Sequence, residues 1–239
     1  MAIATVQRTR PVEEVVEELV AFREQHRVGN SRFIQTFVEK GLRRDRLVPF
    51  LKEYYWGMAF DGFFAFAAIA ANASPFFQRH HYFSIMRNLG SEAGVGHADG
   101  RDHNELQLLL PRHLGVSDEE MLSHVATAPT LGYRHTVVSC CFRSFETGVA
   151  CIPFSIEGQG GEMHRLMWEG FQRHFDFPPE AMAYWRVHDE IEGEHGEIGL
   201  DMLREVLETR DQQWRVRDAV ISTCLTYRAM WDQFDKLLD

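Results

Sequence analysis

The sequence predicts an all-α protein: one domain built as a bundle of about eight helices. Three observations carry that reading. Apolar residues recur at helical spacing along almost the whole chain, and no stretch of any length alternates apolar and polar residues as a half-buried strand does. Helix-start residues (Pro, Ser, Asp and clustered acids) alternate with glycines at the ends of the periodic segments.

Taken in order, Pro11-Val12-Glu13-Glu14 opens a first helix with a proline and two acids, running to about Arg27. Asn30 or Ser31 caps a second, which ends near Gly41. Arg46 to Asn72 reads as a long, aromatic-rich helix kinked at Pro49. Pro75 restarts the chain into a helix that carries His80, His81 and Met86 and fades at Gly90. Glycines 94, 96 and 100 mark a loop, after which His103 begins a helix with Leu106 to Leu110 as its core face, ending at Gly115. Ser117-Asp118-Glu119-Glu120 has the form of a capping box and starts a short helix. Two more, Thr130 to Val149 and Phe154 to Phe175, are expected to part near Pro153. Pro178-Pro179-Glu180 starts the next, continuing to about Glu208, and Asp211 to Leu238 closes the chain.

Composition bounds the partners. With 239 residues the chain can bury a large core, and 45% hydrophobic and 25% charged residues are ordinary for a globular protein. A formal net charge of −10 with no basic run argues against nucleic acid and against an anionic membrane surface. The most apolar stretch, Phe60 to Ala71, contains Asp61 and is too short to span a bilayer. The N-terminus lacks the apolar core of a secretory signal. Cys140, Cys141, Cys151 and Cys224 show no CxxC spacing and read as reduced, buried thiols, so a cytoplasmic protein is expected.

The chemistry concentrates in His188-Asp189-Glu190-Ile191-Glu192-Gly193-Glu194-His195. On a helix, positions i, i+4 and i+7 share a face, so His188, Glu192 and His195 project together. Two imidazoles and a carboxylate suit iron or manganese better than calcium or magnesium. A merely solvated amphipathic face is the plain alternative. Three ligands leave a metal under-coordinated, so other helices should contribute. His103, in Asp-His-Asn-Glu-Leu after the glycine loop, and Glu157, in Phe-Ser-Ile-Glu-Gly-Gln-Gly, are candidates. Glu92, just before the same loop, is a third, with Asp61, Asp99 and Asp102 as its competitors.

The pattern Asn88-Leu89-Gly90-Ser91-Glu92, then His103-Asn104-Glu105-Leu106, an isolated Glu157, and His188-x3-Glu192-x2-His195 resembles the haem-oxygenase-like di-iron oxidases. These are relatives of thiaminase II and pyrroloquinoline-quinone synthase. The resemblance spans roughly residues 30–208; His103 and Glu157 stand 54 positions apart and Glu157 and His188 31, as in that family. It implies a haem-oxygenase-like bundle in which Glu92, His103, Glu157, His188, Glu192 and His195 hold two Fe(II) ions, or manganese plus iron. Two departures stand out: many members have Asp where Glu192 stands, and the gap from Glu92 to His103 is longer than in several. One of the nearby acids would be a seventh ligand where a further carboxylate is used.

The resemblance further implies a homodimer that uses dioxygen to oxidise a small molecule, by desaturation, cyclisation, C–C cleavage or N-oxygenation. An amino acid or derivative in a specialised-metabolite (antibiotic) pathway is the expected substrate. Tyr54, Tyr55, Trp56, Phe60, Phe63 and Phe64 are candidates for its pocket lining, with ordinary helix core as the alternative for each, and Arg87 or Arg143 would receive its carboxylate. Two rivals remain: a thiaminase-II-like hydrolase using Cys140, Cys141 or Cys151 as nucleophile, and a helical interaction module without catalysis.

Overall fold

The computed structural model describes residues 9–60, 62–74, 76, 78–96, 100–191 and 195–239, through their backbone alone at 189–191 and 195–198. Among them there is no strand. The chain runs α1 Val12–Gln25, α2 Arg32–Lys40, α3 Arg44–Met58, α4 Phe63–Asn72, α5 Arg79–Glu92, α6 His103–His113 and α7 Asp118–Leu122. It continues with α8 Ala128–Arg143, α9 Phe145–Val149, a π-helical segment Ala150–Ile156, α10 Glu157–His174, α11 Ala183–Ile191, α12 His195–Glu205 and α13 Arg210–Asp232.

Local chemistry sets most of these boundaries. The Ser31 side chain accepts from the Ile34 amide, and Gly41, at φ 75°, lets the chain leave α2 through a left-handed turn. Asp102 caps α6 through the Glu105 amide, and Ser117 caps α7 through the Glu120 amide. Thr209 and Gln212 form a reciprocal capping box at the start of α13.

α13 is the spine. Val216, Val220, Cys224, Tyr227, Met230 and Trp231 along it are fully buried, and it packs against α8, α1 and the π segment. At one end Phe33 and Phe50 close around Trp231 and Phe234, with Phe33–Phe50 ring centroids 5.1 Å apart and Phe50–Phe234 5.0 Å. Each such side chain contributes about 1.5–3 kcal/mol by leaving water.

The expected helices are present, several of them subdivided. Arg46 to Asn72 is two helices, because the chain turns at 59–60 and again at Gly62, whose backbone (φ −82°, ψ −113°) takes a conformation that a helix does not use. Thr130 to Val149 breaks at Ser144, which is extended (φ −166°, ψ 164°) and caps α9 through the Thr147 amide. The break expected at Pro153 does not occur. Proline lacks the amide that an α-turn would need, and the wider π turn accommodates it without interrupting the helix. The segment expected to run from Pro178 to Glu208 is seen as α11 and α12, with 192–194 outside the described residues.

Candidate metal centre

Three helix ends and the middle of a fourth helix meet at one small cavity. α5 delivers Glu92 from its last residue, α6 His103 from its first, α10 Glu157 from its first, and α11 His188 from its middle. All four line a cavity of about 30 Å³, together with Met58, Gly62, Asn104, Gln107, Gly160, His164, Tyr184 and Tyr227. That volume admits only one or two water-sized occupants.

The donors are close and chemically matched. Glu92, His103 and His188 each offer a ligand atom, and these atoms lie within 4.8 Å of one another. His103 Nδ1 stands 2.9 Å from Glu92 Oε2, and the His103 and His188 rings lie edge to face with centroids 4.5 Å apart. His103 and His188 are both buried. His188 Nδ1 lies 2.8 Å from the Tyr184 carbonyl, which can only accept, so Nδ1 carries a hydrogen and Nε2 is the ring nitrogen left to bind a metal in the neutral imidazole. Two atoms bound to one ion at roughly 2.1 Å and a near-right angle stand about 3 Å apart, the spacing seen for Glu92 and His103. The residues fit a metal.

Close packing makes this convergence geometrically feasible. A Cβ at Gly62 would strike the Glu92 carboxylate, so glycine there is what lets α5 approach. At Gly199 a Cβ would strike the Pro153 carbonyl, so α12 lies directly on the π segment that leads into Glu157. π turns shift the phase of the helix that follows and are frequent at functional sites.

Of the expected ligands, Glu92, His103, Glu157 and His188 share this cavity. Glu192 lies outside the described residues, and His195 is described only as the first residue of α12. Asp102, a competitor of Glu92, is spent as the α6 cap, accepting from the Glu105 amide at 2.8 Å. Asp61 and Asp99 lie outside the described residues.

The expected pocket lining is corrected. Phe63 and Phe64 are exposed, Trp56 donates to the Met121 carbonyl, and Tyr55 packs on a satellite cluster of Leu108, Val116 and Met121. Phe60 stacks on Phe64, with centroids 5.4 Å apart, and does not line the cavity. Arg87 and Arg143 are exposed and do not line it either. Tyr54 stands one step behind: its hydroxyl lies 3.0 Å from that of Tyr184 and 3.2 Å from His164 Nε2.

His164 is the residue the sequence reading missed. It is buried, lines the cavity, and packs against His188 with the rings tilted and 4.3 Å between centroids. The signal was present: Glu157, Gly160 and His164 stand at i, i+3 and i+7, a single helix face with glycine at its middle.

None of the four cysteines lines the cavity. Hydrogen bonding to Cys151 and burial push the Cys140 thiol far up, burial does the same to Cys151, and burial pushes Cys224 up to about 11. These three thiols are therefore protonated near neutral pH. Among the described residues no helix is long and apolar enough to cross a membrane.

Comparison with known proteins agrees with this architecture. The chain superposes on a TenA homologue from Pseudomonas syringae pv. tomato (TM-score 0.79, 15% identity, 98% of this chain and 100% of that one). It also superposes on a CADD-like protein of unknown function from Nostoc punctiforme (0.71, 15%, 95% and 99%). A third is a haem-oxygenase-like domain of unknown function from Shewanella denitrificans (0.69, 16%, 96% and 94%). At such identities these likenesses establish a shared haem-oxygenase-like fold. No curated protein matches the sequence. The family model of an iron-containing redox enzyme matches residues 49–228, a span that holds every one of the convergent carboxylates and imidazoles. By that match over three quarters of its length, the chain belongs to the iron-containing redox enzyme family.

Proposed function

We propose that this protein is a non-haem di-iron oxidase or oxygenase that uses dioxygen to oxidise a small, amino-acid-like substrate. The observation that carries the reading is the convergence of Glu92, His103 and His188, with Glu157, on one buried cavity. Glu92, His103, Glu157 and His188, with Glu192 and His195 from the adjoining segment, would hold two Fe(II) ions. When bound, such a pair supplies two electrons to dioxygen.

The chain's own residues do the rest. The Tyr184 carbonyl holds His188 through Nδ1, and His164 packs against the same ring, so the imidazole meets the cavity in one orientation. The Tyr54 and Tyr184 hydroxyls with His164 Nε2 form a short polar chain that leads from the cavity wall into the core. Such a chain can hold or pass one proton beside His188.

Gln107 supports an amine-bearing substrate. Its side chain lines the cavity, and its amide oxygen is buried without a hydrogen-bond partner among the described residues. A substrate N–H donor would satisfy it. No lysine or arginine appears among the described lining residues, so a substrate carboxylate would meet Asn104 or the metal instead.

The test is anaerobic loading with Fe(II), iron counting, and then oxygen uptake with free amino acids supplied singly. About two irons per chain and substrate-triggered oxygen consumption are expected, unchanged in Cys151→Ala. Absence of iron binding in a folded protein that hydrolyses a thiamin-like compound, and loses that activity in Cys151→Ala, would overturn the reading.

A further inference from the structure

A second cluster of metal-binding side chains lies at the far ends of two helices that frame the centre. His80 and His81, in the first turn of α5, both turn their Nε2 atoms onto the carboxylate of Glu205, the last residue of α12. His80 Nε2 lies 3.0 Å from Glu205 Oε1 and His81 Nε2 2.8 Å from Oε2. The two rings lean together with centroids 3.8 Å apart, and the three ligand atoms fall within 4.8 Å of one another.

An ordinary hydrogen-bonded clamp does not account for His81. The residue is 5% exposed, yet its Nε2 has no hydrogen-bond partner among the described residues. The Glu205 oxygen is close but off the line of the ring N–H. A buried imidazole nitrogen 2.8 Å from a carboxylate that a second imidazole also meets, without hydrogen-bond geometry between them, is arranged as a metal site is arranged.

We propose that His80, His81 and Glu205 form a peripheral site for a borderline divalent cation of the zinc class, which staples the start of α5 to the end of α12. Two imidazole nitrogens and one carboxylate are a familiar zinc donor set, and donors about 3 Å apart are spaced to share one ion. His80 and Glu205 face solvent, so a water completes the coordination and the ion has an entry path. The site is independent of the proposed di-iron chemistry. Its structural effect reaches the centre all the same, because α5 ends in Glu92 and α12 begins with His195.

The experiment is calorimetric titration of the metal-free full-length protein with zinc chloride, repeated with Co(II) to read coordination from the visible spectrum. The His103→Ala/His188→Ala protein should show one zinc-binding event, and wild type that event beside zinc uptake by the centre; in both, His80→Ala and Glu205→Gln should weaken it at least ~10-fold. The zinc-induced rise in Tm should fall with it. His80 is exposed, so His80→Ala tests the site without disturbing the core. Should the central double variant fail to fold, wild type against His80→Ala decides alone. Zinc binding that is indifferent to His80→Ala and Glu205→Gln would overturn the proposal, leaving an imidazole–carboxylate clamp.

Discussion

Glu53 and Glu92 are both carboxylates folded into the helical packing, and their neighbours differ in kind. Glu53, on α3, is surrounded by donors: the Thr127 amide at 3.1 Å, the Thr127 hydroxyl at 3.0 Å, the Thr130 hydroxyl at 2.6 Å and His124 Nε2 at 2.9 Å. It also sits at the N-terminus of α8, where a negative charge is favoured. Glu92 instead stands 2.9 Å from His103 Nδ1 and shares its cavity with His188 and a second carboxylate, Glu157. A carboxylate ringed by hydroxyl and amide hydrogens is satisfied as an anion. A carboxylate grouped with two imidazoles and a second carboxylate belongs to a donor set that can hold a cation. Burial alone does not separate a structural acid from a functional one; the chemistry of its neighbours does.

The largest effect should come from the cation side of that contrast. His103→Ala and His188→Ala each remove an imidazole from the cavity, and each should abolish stable iron uptake and lower iron-dependent oxygen consumption at least ~100-fold. Thermal unfolding of the metal-free protein should shift far less, because the fold's core lies elsewhere. Iron counting on the purified variants checks it; full iron occupancy in either would remove that residue from the centre.

Glu53→Gln should do the reverse, costing about 2–3 kcal/mol of stability while iron binding persists. Its pH dependence has a definite sign. Burial alone would raise the Glu53 carboxyl, but hydrogen bonds from Thr130, His124 and Thr127 outweigh it and hold the group below its usual 4.5. A carboxyl depressed in the folded state contributes stability that is complete above the unfolded value. That contribution is lost as pH falls from about 4.5 through the folded value. Urea unfolding between pH 3 and 7 should therefore show an acid limb that is shallower in Glu53→Gln. Equal limbs would mean that the threonine cage does not hold a charge.

A subtler change acts through space alone. Gly62→Ala places a methyl group against the Glu92 carboxylate. With Glu92 displaced, iron affinity should fall on the order of 10-fold. Fe(II) titration monitored by competition with a chelator reads this directly. Unchanged affinity would show that Glu92 can ligate from a second rotamer, or that it is not a ligand.

How much of this was legible in the chain depends on how far apart the cooperating residues are. Capping by Ser31, Asp102 and Ser117 is a matter of three residues, and the sequence showed where those helices begin. The breaks at Gly62 and Ser144 were not visible. Apolar residues continue through both, and only tertiary demands, such as room for Glu92, require the turn. In the centre, the residue types and order pointed to Glu92, His103, Glu157 and His188 because few side chains hold iron. The supporting residues His164, Tyr54 and Tyr184 carry no such chemical label. They read as ordinary core until the packing sets them beside His188.

The smallest expected effect probes that supporting layer. The Tyr54 ring packs against Trp185 at 5.0 Å and Trp231 at 5.7 Å, so phenylalanine keeps the burial and removes only the hydroxyl. The loss is one hydrogen-bond link between Tyr184 and His164, worth about 1 kcal/mol of stability. Iron stoichiometry should remain at the wild-type value because no proposed ligand has changed. If the hydroxyl chain holds or passes a proton beside His188, the Tyr54→Phe rate of oxygen consumption should fall several-fold and acquire a larger solvent deuterium effect. If Tyr54 serves the core alone, Tm moves while both rate and isotope effect stay put. The two outcomes therefore divide a polar group that belongs to the cavity from one that merely borders it, the same distinction that separates Glu92 from Glu53.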